Sequence, residues 1–488
     1  MGMIIVLLVS FLIYFVKGII FLDPDFGWHV KIGELITSSG FLFRDPFSYT
    51  MPSFPYIDIQ WFSNVIFHSI YSLAGMYGLS LIYSLLMFLA LVVIIKSLGK
   101  KIIYWEVPVI LTIGILFSFF GVRPQVASWF LWALFLGITL NEYWWKKWRF
   151  FLPPLTLLWV NLHGSFALSI TTLLLIGAVR LYQKKLRKDF ILLILLSTLA
   201  SFVNPYGPRI WHEVWLQMSD SSLRWSILEW QPVFLTLDLV FFIYATLSVM
   251  LVLHNRKKFR PEELVLYFFF LVQAVSSIRH IPLWTILSLP MTIASFGYTL
   301  DTVNKIPQAI SRFNKIYQYT LYAAVVILFL QSILVLKSAM AFGEETFYPK
   351  IAVIYLRENL PQGNLFSEYG WGGYLIWKLP ERPVFIDGRM PSWRYKLNPP
   401  DETGYAMKDY TGLLNGEIAY RDVFEKYSIT AVLWPKNRQM GYFEAFAAKI
   451  SERFFGKKEQ FDLLKALKKD GWQMVYEDKI SIVFESPQ

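Results

Sequence analysis

The sequence predicts a polytopic all-α membrane domain followed by a small soluble α/β domain on the non-cytoplasmic face. Of the 488 residues, 55% are hydrophobic and only 17% are charged, which is more apolar surface than a soluble protein of this size needs. Uncharged runs of about 20 residues recur through the first part of the chain, and such runs are long enough to cross a bilayer. From about residue 347, glycine, proline, charged and β-branched residues become frequent, which indicates the soluble domain.

About eleven segments of the membrane domain qualify as spans by length and hydropathy. They are 3–22, 78–97, 102–120, 125–143, 149–162, 165–182, 190–203, 233–253, 264–278, 281–299 and 317–339. The first has no basic region before it and no small-residue cleavage site after it, so we expect a retained span rather than a signal peptide. Segments 149–162 and 190–203 are short, which is tolerated where protein or a water-filled cavity covers the backbone.

Segment 61–74 decides the orientation of the chain. It is apolar enough to cross the membrane, but it also suits a helix lying in the interface. If it is interfacial, the clusters of Lys and Arg between spans all fall on one side, which the positive-inside rule identifies as the cytoplasm. The net charge of +11 then reflects orientation rather than nucleic-acid binding. We therefore predict an inner-membrane protein with a cytoplasmic N-terminus.

Two domains follow from this pattern: residues 1–340 as the membrane domain, with a first outer loop over 23–77, and residues 341–488 as the extracytoplasmic tail. In the tail we predict a helix over 349–359, strands over 364–367, 383–386 and 429–434, and a turn at 370–373. A helix over 441–469 and a hairpin over 472–484 complete it. The chain has no cysteine, which excludes disulfides, thiolate metal sites and cysteine nucleophiles.

Unusual polar residues collect at the predicted non-cytoplasmic ends of the spans. Asp23 and Asp25 lie where the chain leaves the bilayer, a costly position for carboxylates and one that is seldom without function. The other candidates share this face of the membrane: Arg123, His163, Tyr206, Glu229, Arg279 and His280. Their convergence indicates a polar cavity that opens to the outer face.

A sugar transferase at the outer face would use such residues. Because nucleotide sugars are cytoplasmic, its donor would be a polyprenyl-phosphate sugar. The acceptor hydroxyl needs a general base, for which Asp25 and Asp23 are candidates. The departing phosphate needs cations and hydrogen-bond donors, and the candidates for this role are Arg123, His163, Arg279 and His280.

The first outer loop resembles that of the GT-C fold glycosyltransferases. The resemblance rests on Asp-Phe-Gly-Trp-His at 25–29, Gly-Glu at 33–34 and Asp-Pro-Phe-Ser-Tyr at 45–49. It implies lipid-phosphate-sugar donors and an acidic first-loop residue that is the general base or a metal ligand, which corresponds to Asp25 before Asp23. Segments 161–164, 204–207, 371–374 and 387–389 resemble an uncharacterised bacterial branch of that superfamily. No Trp-Trp-Asp motif is present, so the resemblance does not extend to glycosylation of Asn sequons.

Each candidate also has a purely structural interpretation. Asp25 could cap a helix over 28–38, and Asp45 suits an Asx turn before Pro46. The structural interpretations of the other candidates are snorkelling for Arg123, packing for His163, a turn for Tyr206, an interface position for Glu229 and a span boundary for Arg279 and His280. Residues 371–374 could stack on a sugar or pack the core of the tail, and 387–389 reads as a turn.

A divalent cation, Mg²⁺ or Mn²⁺, stays open as a cofactor. His29 follows Asp25 at i+4, which places both on one helix face, but two ligands are too few to assign a site. The leading hypothesis is an inverting GT-C glycosyltransferase whose acceptor, a glycan, lipid or protein, is not identified. The competing hypotheses are a transporter or flippase of lipid-linked sugar, a non-catalytic scaffold of an envelope-polysaccharide complex, and, with less support, a membrane acyltransferase.

Overall fold

The computed structural model describes residues 2–487 except 100–102, 222, 224–226, 236–237, 304–306, 360–361 and 437–460. The described residues are mostly helical and include one small β-sheet. They divide into two compact units. The helical unit comprises Met1–Ile19, Ala74–Val214 and Arg224–Lys337, and the mixed unit comprises Ile20–Leu73, Trp215–Leu223 and Ser338–Gln488. Most of the predicted first outer loop thus belongs to the same unit as the predicted tail.

Helices account for most of the described chain up to residue 341. They are α1 (Gly2–Ile20), α2 (Phe26–Ser39), α3 (Trp61–Lys96), α4 (Glu106–Phe119), α5 (Gln125–Leu140), α6 (Glu142–Trp148), α7 (Leu152–Leu162), α8 (Ala167–Tyr182), α9 (Lys188–Ala200), α10 (Arg209–Ser219), α11 (Leu239–His254), α12 (Pro261–Ser276), α13 (Ile281–Val303) and α14 (Pro307–Ala341). The predicted helix over 28–38 is confirmed as α2.

Several of these helices identify a multi-pass membrane protein. Within the described residues, five segments are long and apolar enough to cross a membrane: Gly2–Ile20, Trp61–Lys96, Gly164–Tyr182, Ile278–Leu300 and Ile310–Ala341. The predicted short spans 149–162 and 190–203 appear as helices of 11 and 13 residues, α7 and α9. At 1.5 Å per residue these reach about 17 and 20 Å, less than the ~30 Å of a bilayer core. The count of about eleven spans therefore stays a prediction.

Helix α3 consists of two helical segments that meet at Gly75. This glycine has φ 58° and ψ −154°, a conformation that residues with a side chain rarely adopt. The predicted division between 61–74 and 78–97 is therefore confirmed as a break in the helix. The interfacial position of 61–74 stays a prediction.

Buried polar side chains tie the helical unit together. Lys17 of α1 is 5% exposed, and its Nζ donates to the carbonyl oxygens of Phe117 and Ser118 at 2.7 and 3.1 Å. These carbonyls lie in the last turn of α4, where they have no partner within the helix. The ammonium group thus lies at the negative end of the helix dipole, which stabilises a cation.

A hydroxyl network links α11, α12 and α13 in the interior of the helical unit. The Ser248 hydroxyl lies 2.7 Å from both the Tyr267 hydroxyl and the Thr292 hydroxyl. One turn away, the hydroxyls of Tyr244 and Ser288 are 3.0 Å apart. Because these groups are buried, each needs such a partner, and the bonds fix the mutual positions of the three helices.

The mixed unit contains a four-stranded sheet in the order β1-β2-β4-β3. Strand β1 (Asn364–Ser367) pairs in parallel with β2 (Ile429–Pro435), whereas β2–β4 and β4–β3 are antiparallel. Strands β3 (Gln473–Glu477) and β4 (Ser481–Glu485) form the predicted hairpin. The tail helices are α15 (Lys350–Glu358), α16 (Gly372–Lys378), α17 (Ala406–Leu414), α18 (Tyr420–Lys426) and α19 (Leu463–Lys469). The predictions for 349–359, 364–367 and 429–434 are confirmed.

Two predictions for the tail are wrong, and a third is only partly tested. The predicted strand over 383–386 is a single parallel bridge between Val384 and Ser48, because its backbone pairs with the first loop instead of with the sheet. The predicted turn over 370–373 is a short 3₁₀ segment that continues into α16. Of the predicted helix over 441–469, residues 441–460 lie outside the described residues, and the rest contains α19.

Glycines allow α2 and α16 to pack with their backbones almost in contact. A Cβ placed on Gly27 would lie 1.9 Å from the carbonyl oxygen of Gly373. A Cβ on Gly373 would lie 2.2 Å from the carbonyl oxygen of Pro24. The obstructing atoms are backbone atoms, which cannot rotate away, so both positions require glycine.

We expect Gly27→Ala to destabilise the mixed unit by about 3 kcal/mol or more, because the inserted methyl group forces α2 away from α16. Thermal or denaturant unfolding of the detergent-solubilised protein measures this cost. The matched control is Gly297→Ala, since an added Cβ at that position would meet no atom within 4 Å. Equal stability of the two variants would show that the close approach of the helices is not required.

Candidate functional site

Asp25 lies directly before α2, and its side chain does not cap that helix. The Asp25 carboxylate accepts no capping hydrogen bond from a backbone N–H of the first turn of α2. Instead, its Oδ1 accepts a hydrogen bond from the indole Nε1 of Trp28 at 2.9 Å. The Asp25 backbone N–H donates to Oδ1 of Asp23 at 3.0 Å. The geometry therefore differs from that of a simple N-cap.

Other carboxylates of the mixed unit lie near Asp25. Burial raises the pKa of the Tyr348 hydroxyl well above its ordinary value, and the charges of Asp23, Asp25 and Glu368 raise it further. Burial likewise raises the pKa of Tyr369. The charges of Asp25, Asp387 and Glu368 add to this increase.

The charges of four carboxylates, Asp23, Asp25, Glu368 and Asp387, thus act on one or both of these tyrosine hydroxyls. Glu368 and Tyr369 were not predicted from the sequence. The sequence feature that could have indicated them is their position directly after the predicted strand over 364–367, which is β1. Tyr348 itself donates to the carbonyl oxygen of Leu22 at 2.8 Å, so its hydroxyl is positioned against the start of the first loop.

The Asp387-Gly388-Arg389 segment lies against Asp25. A Cβ placed on Gly388 would lie only 2.1 Å from Oδ1 of Asp25, so the Gly388 backbone borders that oxygen directly. The sequence pattern predicted a simple turn here. The structure shows that the segment is a turn and that it also faces the candidate base.

A buried ion triad holds this turn. The Arg389 guanidinium donates from Nη2 to Asp45 at 2.9 Å and to Asp387 at 2.7 Å, and from Nε to Asp387 at 2.8 Å. The Arg389 side chain is 3% exposed, and the side chains of both carboxylates are 0% exposed. The rings of Phe47 and Trp393 lie 4.9 and 5.2 Å from the guanidinium carbon.

Asp45 also forms the predicted Asx turn. Its Oδ2 accepts from the Ser48 N–H at 2.8 Å, and its Oδ1 accepts from the Phe47 N–H at 3.2 Å. Burial raises the pKa of Asp45, although the Arg389 charge acts in the opposite direction. The structure therefore gives Asp45 a structural part, through its turn and its pair with Arg389.

A second buried polar chain starts at His29. Its Nδ1 lies 2.6 Å from Oδ1 of Asn64, and Nδ2 of Asn64 donates to Asp58 at 2.7 Å. Because the amide oxygen accepts, the bond assigns a proton to Nδ1 of His29. Burial raises the pKa of Asp58 to about 6. Within the described chain, no group of three or more His, Asp or Glu residues could hold a metal ion.

In the helical unit, Arg123 and Glu229 form an ion pair. Nη1 of Arg123 lies 2.7 Å from Oε1 of Glu229. With its carboxamide oxygen turned toward the guanidinium, Gln125 accepts from Nε and Nη2 at 2.8 and 2.7 Å. The guanidinium thus presents its fork to two acceptors, the arrangement that also suits a phosphate.

Further predicted cations act on the same carboxylate. Burial opposes ionisation of Glu229, but the charges of Arg123 and Arg279 lower its pKa, and His163 acts in the same direction. Arg279 also lies over the ring of Trp230, with its guanidinium carbon 5.0 Å from the ring centre. The structure therefore brings Arg123, His163 and Arg279 together around the charge of Glu229.

The orientation of His163 is fixed by its own turn. Its Nδ1 accepts from the Ser165 backbone N–H at 3.2 Å, which assigns the proton of the neutral ring to Nε2. His280 is half-buried in the short segment before α13. Within the described part of the chain, its Nδ1 has no hydrogen-bond partner.

Three aromatic candidates have structural positions. Tyr206 is buried in a turn in which its N–H donates to the side chain of Asn204 at 2.9 Å. Trp371 is 1% exposed and donates from Nε1 to the Phe347 carbonyl oxygen at 3.0 Å. Tyr374 stacks on Tyr348, with ring centres 4.7 Å apart. Both aromatic residues of 371–374 therefore pack in the mixed unit.

Comparison with known proteins shows the fold. No family model matches the sequence, and no curated protein matches it. The crystal structure of the Archaeoglobus fulgidus oligosaccharyltransferase, tethered with an acceptor peptide containing the NVT sequon, matches with a TM-score of 0.56 and 12% identity. The match covers 99% of this chain and 74% of that chain. The GT-C fold expected from the first loop is thereby confirmed as a fold.

Two further crystal structures match with lower TM-scores. ArnT from Cupriavidus metallidurans, bound to undecaprenyl phosphate, matches with a TM-score of 0.47 and 13% identity over 100% of this chain and 99% of that chain. The apo form of the Archaeoglobus fulgidus oligosaccharyltransferase gives 0.49 and 12% identity, over 99% and 74% of the two chains.

The raised pKa of Asp58 predicts a pH-dependent loss of stability. As pH rises from 4 to about 6, the unfolded chain releases this proton while the folded protein keeps it, so the free energy of unfolding falls. The shift corresponds to about 3 kcal/mol. Asp58→Asn does not titrate and keeps an acceptor for the Gln60 N–H. The free energy of unfolding of this variant should therefore lack the decrease that Asp58 causes between pH 4 and about 6. Unfolding at pH 4 and pH 7 tests this, and parallel pH profiles would contradict it.

Arg389→Met should destabilise the protein by about 3–5 kcal/mol, because it leaves two buried carboxylates without their cation. The control is Arg357→Met, which breaks the exposed pair with Glu381, whose side chains are 54% and 37% exposed. That control should cost about 1 kcal/mol or less. Denaturant unfolding of both variants measures the difference. Similar values for the two would mean that the triad contributes no more than a surface pair.

Proposed function

We propose that the protein is a membrane glycosyltransferase that moves a sugar from a polyprenyl-phosphate donor to an acceptor hydroxyl at the outer face of the inner membrane. The observation that carries the proposal is the Asp25 carboxylate, which is held by the Trp28 indole and bordered by Gly388 instead of capping α2. The fold shared with an oligosaccharyltransferase supports glycosyl transfer as the reaction class.

Asp25 acts as the general base in this proposal. Its carboxylate removes the proton of the acceptor hydroxyl as the hydroxyl oxygen attacks the anomeric carbon. The bond between that carbon and the phosphate oxygen breaks, and its electron pair leaves with the lipid phosphate. Attack from the face opposite the phosphate inverts the anomeric centre. Asp23, whose Oδ1 accepts from the Asp25 backbone N–H, supports the position of the base.

The helical unit supplies the cations for the leaving phosphate. Arg123 and Arg279 act on Glu229 together with His163, so a phosphate that takes the place of this carboxylate meets ready-made positive charge. Such preorganised charge stabilises the anion that develops in the transition state. We assign His280 to the same phosphate as a hydrogen-bond donor, and the apolar helices to the prenyl chain. A divalent cation, Mg²⁺ or Mn²⁺, would add to this stabilisation if the reaction needs one.

Transfer from radiolabelled polyprenyl-phosphate sugars, with the protein in nanodiscs and an envelope fraction as acceptor, tests the proposal. Asp25→Asn should lower transfer about 10²-fold or more, because it removes the base and keeps the shape. Donor binding should be unchanged. Asp422→Asn, at an exposed position of α18, is the matched control.

Arg123→Gln distinguishes the two sites in the same assay. Loss of its charge should weaken donor binding about 10-fold, equivalent to about 1.4 kcal/mol, whereas Asp25→Asn should not. Equal transfer by wild type and Asp25→Asn would rule out Asp25 as the base. Movement of lipid-linked sugar across vesicle membranes without transfer would favour the transporter, and absence of both activities in wild type would favour the scaffold.

A further inference from the structure

One oxygen of the Asp25 carboxylate is enclosed from two sides. The Trp28 indole N–H donates to Oδ1 at 2.9 Å. On another side, a Cβ on Gly388 would meet Oδ1 at 2.1 Å but Oδ2 only at 3.7 Å. The turn of the tail therefore lies closer to Oδ1 than to Oδ2.

The backbone that borders Oδ1 is rigidly supported. Asp387 and Arg389, on either side of Gly388, are joined by a side-chain fork at 2.7 and 2.8 Å. The same guanidinium is tied to Asp45 at 2.9 Å. The Arg389 N–H also donates to Oδ1 of Asp387 at 3.0 Å. With these groups buried, the turn cannot move aside without breaking several charged hydrogen bonds.

We propose that Trp28 and Gly388 are positioning residues that hold Oδ1 and thereby fix the rotamer of the Asp25 carboxylate. This inference rests on the proposed role of Asp25 as the base. A general base must lie within hydrogen-bond reach of the proton it removes, and misplacement by about 1 Å is enough to lower a rate about 10²-fold. Glycine at 388 is then a requirement of the site rather than of the turn.

The packing makes the Gly388 position informative. The atom that an added Cβ would meet is the end of a flexible side chain, Oδ1 of Asp25, and not a backbone atom. Gly388→Ala is therefore accommodated by rotation of the carboxylate, at little cost to the fold. The variant displaces the base while leaving the base present.

The charges near Asp25 determine what replacement of Trp28 should do to the ionisation of the Asp25 carboxylate. Asp23, Asp387 and Glu368 act together with Asp25 on the hydroxyls of Tyr348 and Tyr369, so Asp25 lies among other carboxylates. Among carboxylates, an ionised Asp25 is stabilised by the indole N–H. Removal of that donor disfavours the ionised form, which is the form that acts as the base.

The first test compares Gly388→Ala and Trp28→Phe in the transfer assay. Gly388→Ala should lower kcat about 10–10²-fold while KM for the donor and the unfolding temperature change little. Trp28→Phe should move the acid limb of the pH–rate profile to higher pH by about one unit. Gly297→Ala, which adds its Cβ in open space, and Trp215→Phe, at a side chain 68% exposed, are the controls. Wild-type kcat and pH profile in both variants would overturn the inference.

The second test does not depend on activity. In protein labelled with 5-fluorotryptophan, the ¹⁹F signal that Trp28→Phe removes should titrate with pH in wild type and lose that titration in Asp25→Asn. In Gly388→Ala its shift and titration midpoint should change. An identical Trp28 signal in Gly388→Ala and wild type would overturn the positioning role. If wild type transfers no sugar but the signal behaves as expected, the positioning stands and the proposed reaction fails.

Discussion

The mixed unit depends on one buried cation shared by two carboxylates. Arg389 binds Asp387 within its own turn and Asp45 in the first loop, and all three side chains are almost fully removed from solvent. Burying such charges is costly unless each finds its partners, so the three groups stabilise only this one arrangement. The triad thereby joins residues 344 positions apart in the chain and brings the Gly388 backbone beside Asp25. The glycine contacts of α2 with α16 act in the same direction.

The helical unit follows the same rule with different groups. At two places in this unit, a charged side chain near a helix end has a counterpart. Lys17 meets the last carbonyls of α4, and Arg123 meets Glu229 at 2.7 Å. In the proposed reaction the second pair also has a chemical use, because the leaving phosphate takes the place of the Glu229 carboxylate among these cations.

Several parts of the site were predictable from composition and position alone. Carboxylates at a membrane exit and cations at span ends are costly to place, so their presence in the sequence is informative wherever the chain folds. The strand at 429–434 was predictable because its run of β-branched and aromatic residues favours a strand. The strand expected over 383–386 did not form, since its partner is the first loop and not a neighbouring strand. Glu368 was missed because it belongs to no motif, and Trp28, although it lies in the motif at 25–29, received no role because its contact with Asp25 is set by the fold.

The sequence by itself determined the class of protein, the position of the candidate base and the set of cations, since each follows from hydropathy and charge along the chain. Only the tertiary structure decided what surrounds them. It showed that Asp25 accepts from Trp28 rather than capping α2, that a turn of ordinary sequence borders its carboxylate, and that Asp45 pairs with Arg389. The physical reason is that these contacts join residues far apart in sequence. Local patterns report burial and charge, whereas the choice of partner depends on how the elements pack.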